Sequence, residues 1–185
     1  MPRLTEGNLA CDFPATWHAT KYDDWAFYRN QFSNCCNDGQ SPIRALRGTQ
    51  AVDFLAVDTS QTLWLIELKD YRRHRRTKPE RIWTEVALKA RDTLAGLFAA
   101  KVAVGHPDHP FATRSLSCTR LRIVLHLEQP RTNSHLFPRA FDPADVQQKL
   151  KQLVKAIDAH PRVVELQNMT HVPWTAESIP SQTPA

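Results

Sequence analysis

The fold turns on one stretch: Ala51-Val52-Asp53-Phe54-Leu55-Ala56-Val57, the turn residues Asp58-Thr59-Ser60, and the return run Leu63-Trp64-Leu65-Ile66-Glu67-Leu68-Lys69. Two apolar runs separated by short polar residues form the pattern of a β-hairpin. Both are apolar on alternate and intervening positions alike, as expected of central strands covered by other elements on each face. Three charges interrupt them. A charged group buried without a partner costs several kcal/mol, so its presence in an apolar strand asks for a reason. Glu67 and Lys69 lie two apart, so the strand period puts both on one face. A hairpin closed through residues 58–60 brings Asp53 alongside Glu67, making a carboxylate pair with an ammonium group beside it.

Outward from the hairpin, Arg72, Arg73, Arg75, Arg76, Lys78 and Arg81 crowd together with His74 among them. Residues 82–101 read as a long helix with Val86, Ala90, Leu94 and Leu97 along one face. Residues 105–110, Gly-His-Pro-Asp-His-Pro, read as a loop, and residues 121–128 as a third strand ending at Pro130. Asp142-Pro143 opens a last helix, with Asp142 as N-cap and Pro143 at the first helical position, running to about residue 159. Residues 162–166 read as a short closing strand. On the N-terminal side, Trp25, Tyr28 and Phe32 make one stripe of a helix over residues 22–33, with Thr20 and Asp23 resembling a capping box. The polar loop 34–42 stops it. These elements predict an α/β fold with a mixed central sheet flanked by helices, one domain over residues 1–174, and a polar, disordered tail over residues 175–185.

The whole chain agrees with that scale. Its 185 residues suffice for one well-filled core, and 42% hydrophobic with 23% charged residues is ordinary globular composition. No segment approaches the roughly 20 apolar residues that cross a bilayer, and the start lacks the order of a secretory signal, so a soluble cytoplasmic protein is expected. The cysteines Cys11, Cys35, Cys36 and Cys118 show no metal-ligand spacing. A net charge of +5 and a pI near 9.2 favour a polyanionic partner.

Two carboxylates at a strand junction are a minimal oxygen site for Mg²⁺ or Mn²⁺, which would lower the pKa of a bound water and stabilise charge on a phosphate. Lys69 would orient the water or neutralise the phosphorus centre. Asp53, then a turn, then Glu67-Leu68-Lys69 behind an apolar run, resembles the PD-(D/E)xK superfamily of restriction-endonuclease-like nucleases. The resemblance spans about residues 22–128 and implies an αβββαβ core, one strand of which is sought in residues 44–50. It implies that Asp53 and Glu67 bind the metal with the Leu68 main-chain carbonyl, that Lys69 is catalytic, and that an acid such as Asp23, Asp24 or Glu85 is accessory. Val52 departs from the pattern, standing where the name-giving proline often does. Arg72, Arg73, Arg75, Arg76 and Lys78 would then meet phosphates. The resemblance points to DNA before RNA, and to a homodimer or a partner protein subunit.

Three other readings stand beside the metal-dependent nuclease. Glu67 and Lys69 also suit an ordinary salt-bridged pair with Asp53 at a strand end. A nuclease-like fold also serves as a non-catalytic nucleic-acid-binding or assembly module, or as a subunit of a DNA defence or repair complex. His106, Asp108 and His109 suit exposed loop positions better than a zinc site. His126 and Glu128 share a strand face and would line the same cleft or sit in the core, and the scattered Trp17, Trp25, Trp64, Trp83 and Trp174 read mainly as packing residues.

Overall fold

A computed structural model describes residues 1–33, 48–130 and 139–180. In chain order the elements are β1 (Arg3–Glu6), β2 (Leu9–Asp12), β3 (His18–Lys21), a 3-10 turn (Tyr22–Asp24), a π-helical turn (Tyr28–Phe32), β4 (Phe54–Val57), β5 (Thr62–Asp70), α1 (Ile82–Val102), α2 (His109–Leu116), β6 (Arg120–Glu128), α3 (Pro143–Val154), β7 (Arg162–Val164) and β8 (Thr175–Ser178). The larger sheet has the order β3-β4-β5-β6-β7 and the smaller β1-β2-β8. β3, β4 and β5 form an antiparallel meander. β6 runs parallel to β5 and β7 parallel to β6, with helices in the crossovers. That mixture of antiparallel hairpins and parallel crossovers makes the α/β class. Among the described residues no helix is long and apolar enough to cross a membrane.

The period of the strands divides the core in two. Leu55, Val57, Leu63, Leu65, Ile123 and Leu125 face α1 and α3, packing against Val86, Ala90, Leu97, Val146 and Leu150. The intervening Phe54, Ala56, Ile66, Leu68 and Val124 face the smaller sheet, where Leu9, Cys11, Phe13, Trp17 and Trp174 cover them. Both faces of β4 and β5 are therefore dry, which explains their unbroken apolar runs. In this layering residue 53 and residues 67 and 69 fall on the helix side.

The hairpin closes as its sequence requires. Phe54 pairs with Ile66 and Val57 with Leu63. Asp58 Oδ1 accepts hydrogen bonds from the Ser60 and Thr62 amides at 2.8 Å each, and Gln61 takes a positive φ of 55° to complete the turn. The 82–101 helix, the 121–128 strand and the Asp142 cap also stand where expected; Asp142 accepts from the Ala144 amide at 2.9 Å.

Other expectations need correcting. The 22–33 segment is not one α-helix: Trp25, with ψ 134°, is extended, so the chain makes a 3-10 turn, breaks, and resumes in π-helical form. No side chain caps its start, so the Thr20/Asp23 capping box is absent. Among the described residues the αβββαβ order is not the one found, because the strand beside β4 is β3, which precedes the helical segment. The search for a strand in 44–50 falls mostly outside the described residues, as do Cys35 and Cys36. Residues 105–110 are not all loop, since α2 begins at His109. The expected disordered tail starts with β8, an antiparallel partner of β2 from Leu9↔Ser178 to Asp12↔Thr175.

Candidate functional site

Continuing the β4/β5 register by one residue sets Asp53 opposite Glu67, and the structure brings them together with Lys69. Asp53 Oδ2 accepts the Leu68 amide at 2.6 Å. Glu67 is fully buried, and its Oε1 is the acceptor for both Lys69 Nζ and Lys89 Nζ, the latter at 2.6 Å. Lys89 also lies 3.6 Å from Asp53 Oδ1. It stands on α1 one turn after Glu85, so a helix facing the sheet delivers a carboxylate and an ammonium to the same place. Glu85, 1% exposed at its side chain, lies 3.5 Å from Lys69 and pairs with Arg76 at 2.7 Å and Lys78 at 2.6 Å. Three carboxylates thus face four cations in one network.

The ionisation states follow from burial and neighbours. Burial, then the charge of Glu67, pushes Asp53 from its ordinary 3.8 up to about 7, against the pull of Lys89, Lys69 and the Leu68 amide. Burial alone would lower the Lys69 ammonium, but Glu67 and Asp53 outweigh it and hold its pKa above the ordinary value. Burial would likewise raise Glu85, yet Lys78, Lys69 and Arg76 hold it at about 2. The centre therefore contains one carboxyl that exchanges protons near neutrality and one that stays ionised. Asp53 and Lys89 open onto a cavity of 470 Å³ that Asp23, Tyr28, Gln50 and Lys78 also line. Burial raises the Asp23 carboxyl as well.

The other expected site residues separate. Asp24 is a correction: it is exposed and ion-paired with Arg29 and, at 3.8 Å, with Lys21, away from the centre, whereas its neighbour Asp23 lines the cavity. Glu85 joins the centre through Lys69. Arg72 is held by Asp70 at 2.6 Å and reaches Ser178 Oγ, so it braces β5 and β8. Arg76 is committed to Glu85, the Tyr71 hydroxyl and the Glu80 carbonyl. Arg73, Arg75 and Lys78 are exposed. His126 and Glu128 do share a face and bond at 2.8 Å, but His126 stands beside Leu68 on the smaller-sheet side, across the sheet from Glu67. His106 and Asp108 order a loop: His106 Nδ1 accepts the Asp108 amide and Asp108 accepts the Phe27 amide. Trp17, Trp64 and Trp174 pack together with Phe13. The residue that sequence reasoning missed is Lys89; its signal was the i,i+4 spacing from Glu85 beside the apolar stripe of α1.

Among the described residues no group of three or more His, Cys, Asp or Glu could hold a metal ion. Asp53 and Glu67 are compensated here by Lys69 and Lys89.

No family model matches the sequence, and no solved structure matches the chain. A cysteine–tRNA ligase of Neisseria meningitidis serogroup A is 35% identical over 168 residues, covering 79% of this chain and 24% of the relative. The chain thus spans about a quarter of the length of the relative it matches. The named relative is a ligase that works with tRNA, and this overturns the expectation of a restriction-endonuclease-like nuclease, hydrolase or endonuclease acting on DNA. It also leaves a DNA defence or repair subunit without support.

Proposed function

We propose that this chain is a tRNA-binding module of an aminoacyl-tRNA-synthetase-related system, with the loop between β5 and α1 as its RNA-facing surface. The similarity to a quarter of a cysteine–tRNA ligase carries this reading. The excess positive charge supports it, because the exposed Arg73, Arg75, Lys78 and Arg81 lie on one loop and suit a phosphate backbone. The test is anisotropy of labelled tRNA and of duplex DNA with the same number of phosphates, across a salt series. The reading expects tRNA to bind more tightly, with affinity falling steeply as salt rises. Equal affinity for the duplex, or no binding of tRNA, would overturn it.

A specific observation favours a second, enzymatic element: Asp53, held near neutrality, lies at a cavity wall beside Lys89. In this reading Asp53, Glu67, Lys69 and Lys89 form the functional centre. Asp53 exchanges the proton, and Glu67 holds both ammonium groups in place. A carboxyl-carbon NMR titration of Asp53 should give a midpoint near 7 that moves when tRNA is added. A midpoint in the ordinary carboxylate range would sink it.

Mg²⁺ or Mn²⁺ is a further proposal at this centre. Glu67 Oε2 is buried without a hydrogen-bond partner, which favours a ligand atom there. When bound, such an ion would supply Lewis acidity, and Lys89 would have to leave Glu67. Mg²⁺ that raises the Tm of the wild type but not of Glu67→Gln supports this; an unchanged Tm up to high millimolar Mg²⁺ removes it.

A further inference from the structure

We infer that a second cavity, on the other side of residues 78–80 from the buried centre, is a binding site for one unpaired purine nucleotide of the RNA; the inference rests on the RNA-binding reading. Lys78, Pro79 and Glu80 line both cavities, so this short segment is the wall between them. The second cavity measures 290 Å³, just under the roughly 300–1,000 Å³ of small-ligand sites. A volume of this size suits a single base rather than a base pair.

Its chemistry is divided as a nucleotide's is. Tyr71 and Phe141, with ring centroids 6.0 Å apart and planes tilted by 43°, both line it, and Ile82 and Pro130 add apolar surface. A planar base gains by stacking on one of these rings with its edge against the other, about 1–3 kcal/mol per base. Around it stand Arg75, Arg76, Lys78 and Arg81 against Glu80, the single acid lining the site, while Arg76 and Lys78 are already paired with Glu85. Arg81, exposed at the rim, is the guanidinium that suits a phosphate.

Base identity is read weakly here. Gln129, the side-chain amide in the lining, is already consumed: its Nε2 donates to the Phe141 carbonyl and its Oε1 accepts the Phe141 amide, both at 3.0 Å. The same two bonds fix Phe141 in the lining. Tyr71 is fixed likewise, since its hydroxyl accepts from Arg76, which Glu85 holds. The site is preformed, and stacking area rather than edge recognition decides between bases. Purines therefore exceed pyrimidines, and adenine and guanine are nearly equal.

The experiment is isothermal calorimetry of the full chain with adenosine, guanosine, uridine and cytidine 5′-monophosphates, run beside a hairpin RNA with and without four unpaired 3′ nucleotides. The purine nucleotides should bind several-fold more tightly than the pyrimidine ones. Arg81→Gln should weaken AMP about tenfold through the lost phosphate contact, and Phe141→Ala, which leaves Tyr71 as the remaining aromatic surface, should weaken stacking. Arg81 is exposed, so its variant stays informative if Phe141→Ala fails to fold. The overhang should add affinity to the hairpin, and Arg81→Gln should remove most of that gain. No AMP binding at ten millimolar, or binding indifferent to Arg81→Gln, overturns the nucleotide site. If both hairpins bind equally and salt-sensitively, the RNA-binding reading stands and this site falls. If AMP binds and no RNA does, the nucleotide site stands and the RNA-binding reading falls.

Discussion

Replacing Lys89 with methionine tests whether the buried centre is held together by its two ammonium groups. Methionine keeps most of the apolar stem that packs along α1, so the change is mainly the loss of charge. Lys89 Nζ lies 2.6 Å from Glu67 Oε1 and 3.6 Å from Asp53 Oδ1, and its side chain is 14% exposed against 0% for Glu67. Removing one partner of a buried ion pair costs about 3–5 kcal/mol when the other is left uncompensated. Two features reduce that here. Lys69 still bonds Glu67, and Asp53, already near neutrality, takes up a proton and removes part of the excess negative charge. The expected cost is therefore about 2 kcal/mol, the scale of a lost charge-assisted hydrogen bond. For a domain of this size that corresponds to a Tm lowered by about 4–8 °C.

The measurement is urea unfolding of wild type, Lys89→Met, Glu67→Gln and the double variant at pH 7.5. Glu67→Gln alone should destabilise, because it leaves two buried ammonium groups without the negative charge they share. In the Lys89→Met background the same change should cost less by at least about 1 kcal/mol, the coupling expected of residues in one network. If Lys89→Met unfolds with the wild type, or the two changes simply add, Lys89 is a surface lysine resting against the site and the centre is smaller than described.

Further expectations follow from the same structure. Asp53→Asn should be favourable at high pH. The folded pKa of about 7 lies above the unfolded 3.8, so the native state keeps a proton the unfolded state has lost, and wild-type stability falls as pH rises between these values and is then flat; a stability difference between variant and wild type that does not grow over that window refutes it. Glu85 has the opposite sign, since its folded pKa of about 2 lies below the ordinary 4.5, so its contribution is present above pH 4.5 and lost on acidification toward pH 2; Glu85→Gln should flatten the acid limb of the stability curve. Gly96→Ala should cost about 1–3 kcal/mol by overpacking, because a Cβ there runs into the Tyr22 hydroxyl and comes 3.0 Å from the Phe32 ring; thermal unfolding reads it. Ending the chain after Trp174 removes β8 and exposes the edge of β2, so a clear drop in Tm is expected, and none if residues 175–178 carry no structure.

How much of this was legible depended on the range of the interactions. The hairpin could be read because its pattern is local: period-2 alternation, a polar turn and a fixed register bring Asp53 to Glu67 without knowledge of the rest of the chain. α1 and the Asp142 cap were readable for the same reason. The smaller sheet was not. β1, β2 and β8 are four residues each; β1 and β2 close a short hairpin through Gly7-Asn8 that was not read, and β2 pairs with a strand more than 160 residues away, a contact no window of sequence holds. The tail looked polar because Thr175, Glu177 and Ser178 are exposed on an edge strand, while the Trp174 that anchors it is buried. The aromatic stripe of residues 22–33 misled because its side chains are buried by tertiary contacts from a broken backbone rather than by one helical face; Tyr22 and Trp25 meet edge-on at 5.0 Å. The site was legible in its strand half and, through Glu85, in part of its helix half, where Lys89 resembled any lysine of an i,i+4 pair and was missed.

That division explains why a correct placement led to a mistaken activity. Two carboxylates and a lysine on adjacent strands suit a metal-assisted hydrolase only if the acids remain free to bind an ion. A second lysine from α1 changes the electrostatic problem, since Glu67 then bonds two ammonium groups through one oxygen and the charges largely cancel within the protein. Glu85 extends the network in the other direction. It touches Lys69 of the centre and also Arg76 and Lys78 of the basic loop, so the loop that faces the proposed nucleotide is fastened to the helix that completes the centre. An anion drawing Lys78 away from Glu85 would weaken one of the three charges that hold that carboxylate ionised, and would be felt by Lys69 one contact further in. Coupling of this kind needs no moving domain. It requires that Glu85→Gln loosen the loop and alter the Asp53 titration together, while Arg73→Gln, on the same loop and outside that network, changes RNA affinity and leaves Asp53 where it was.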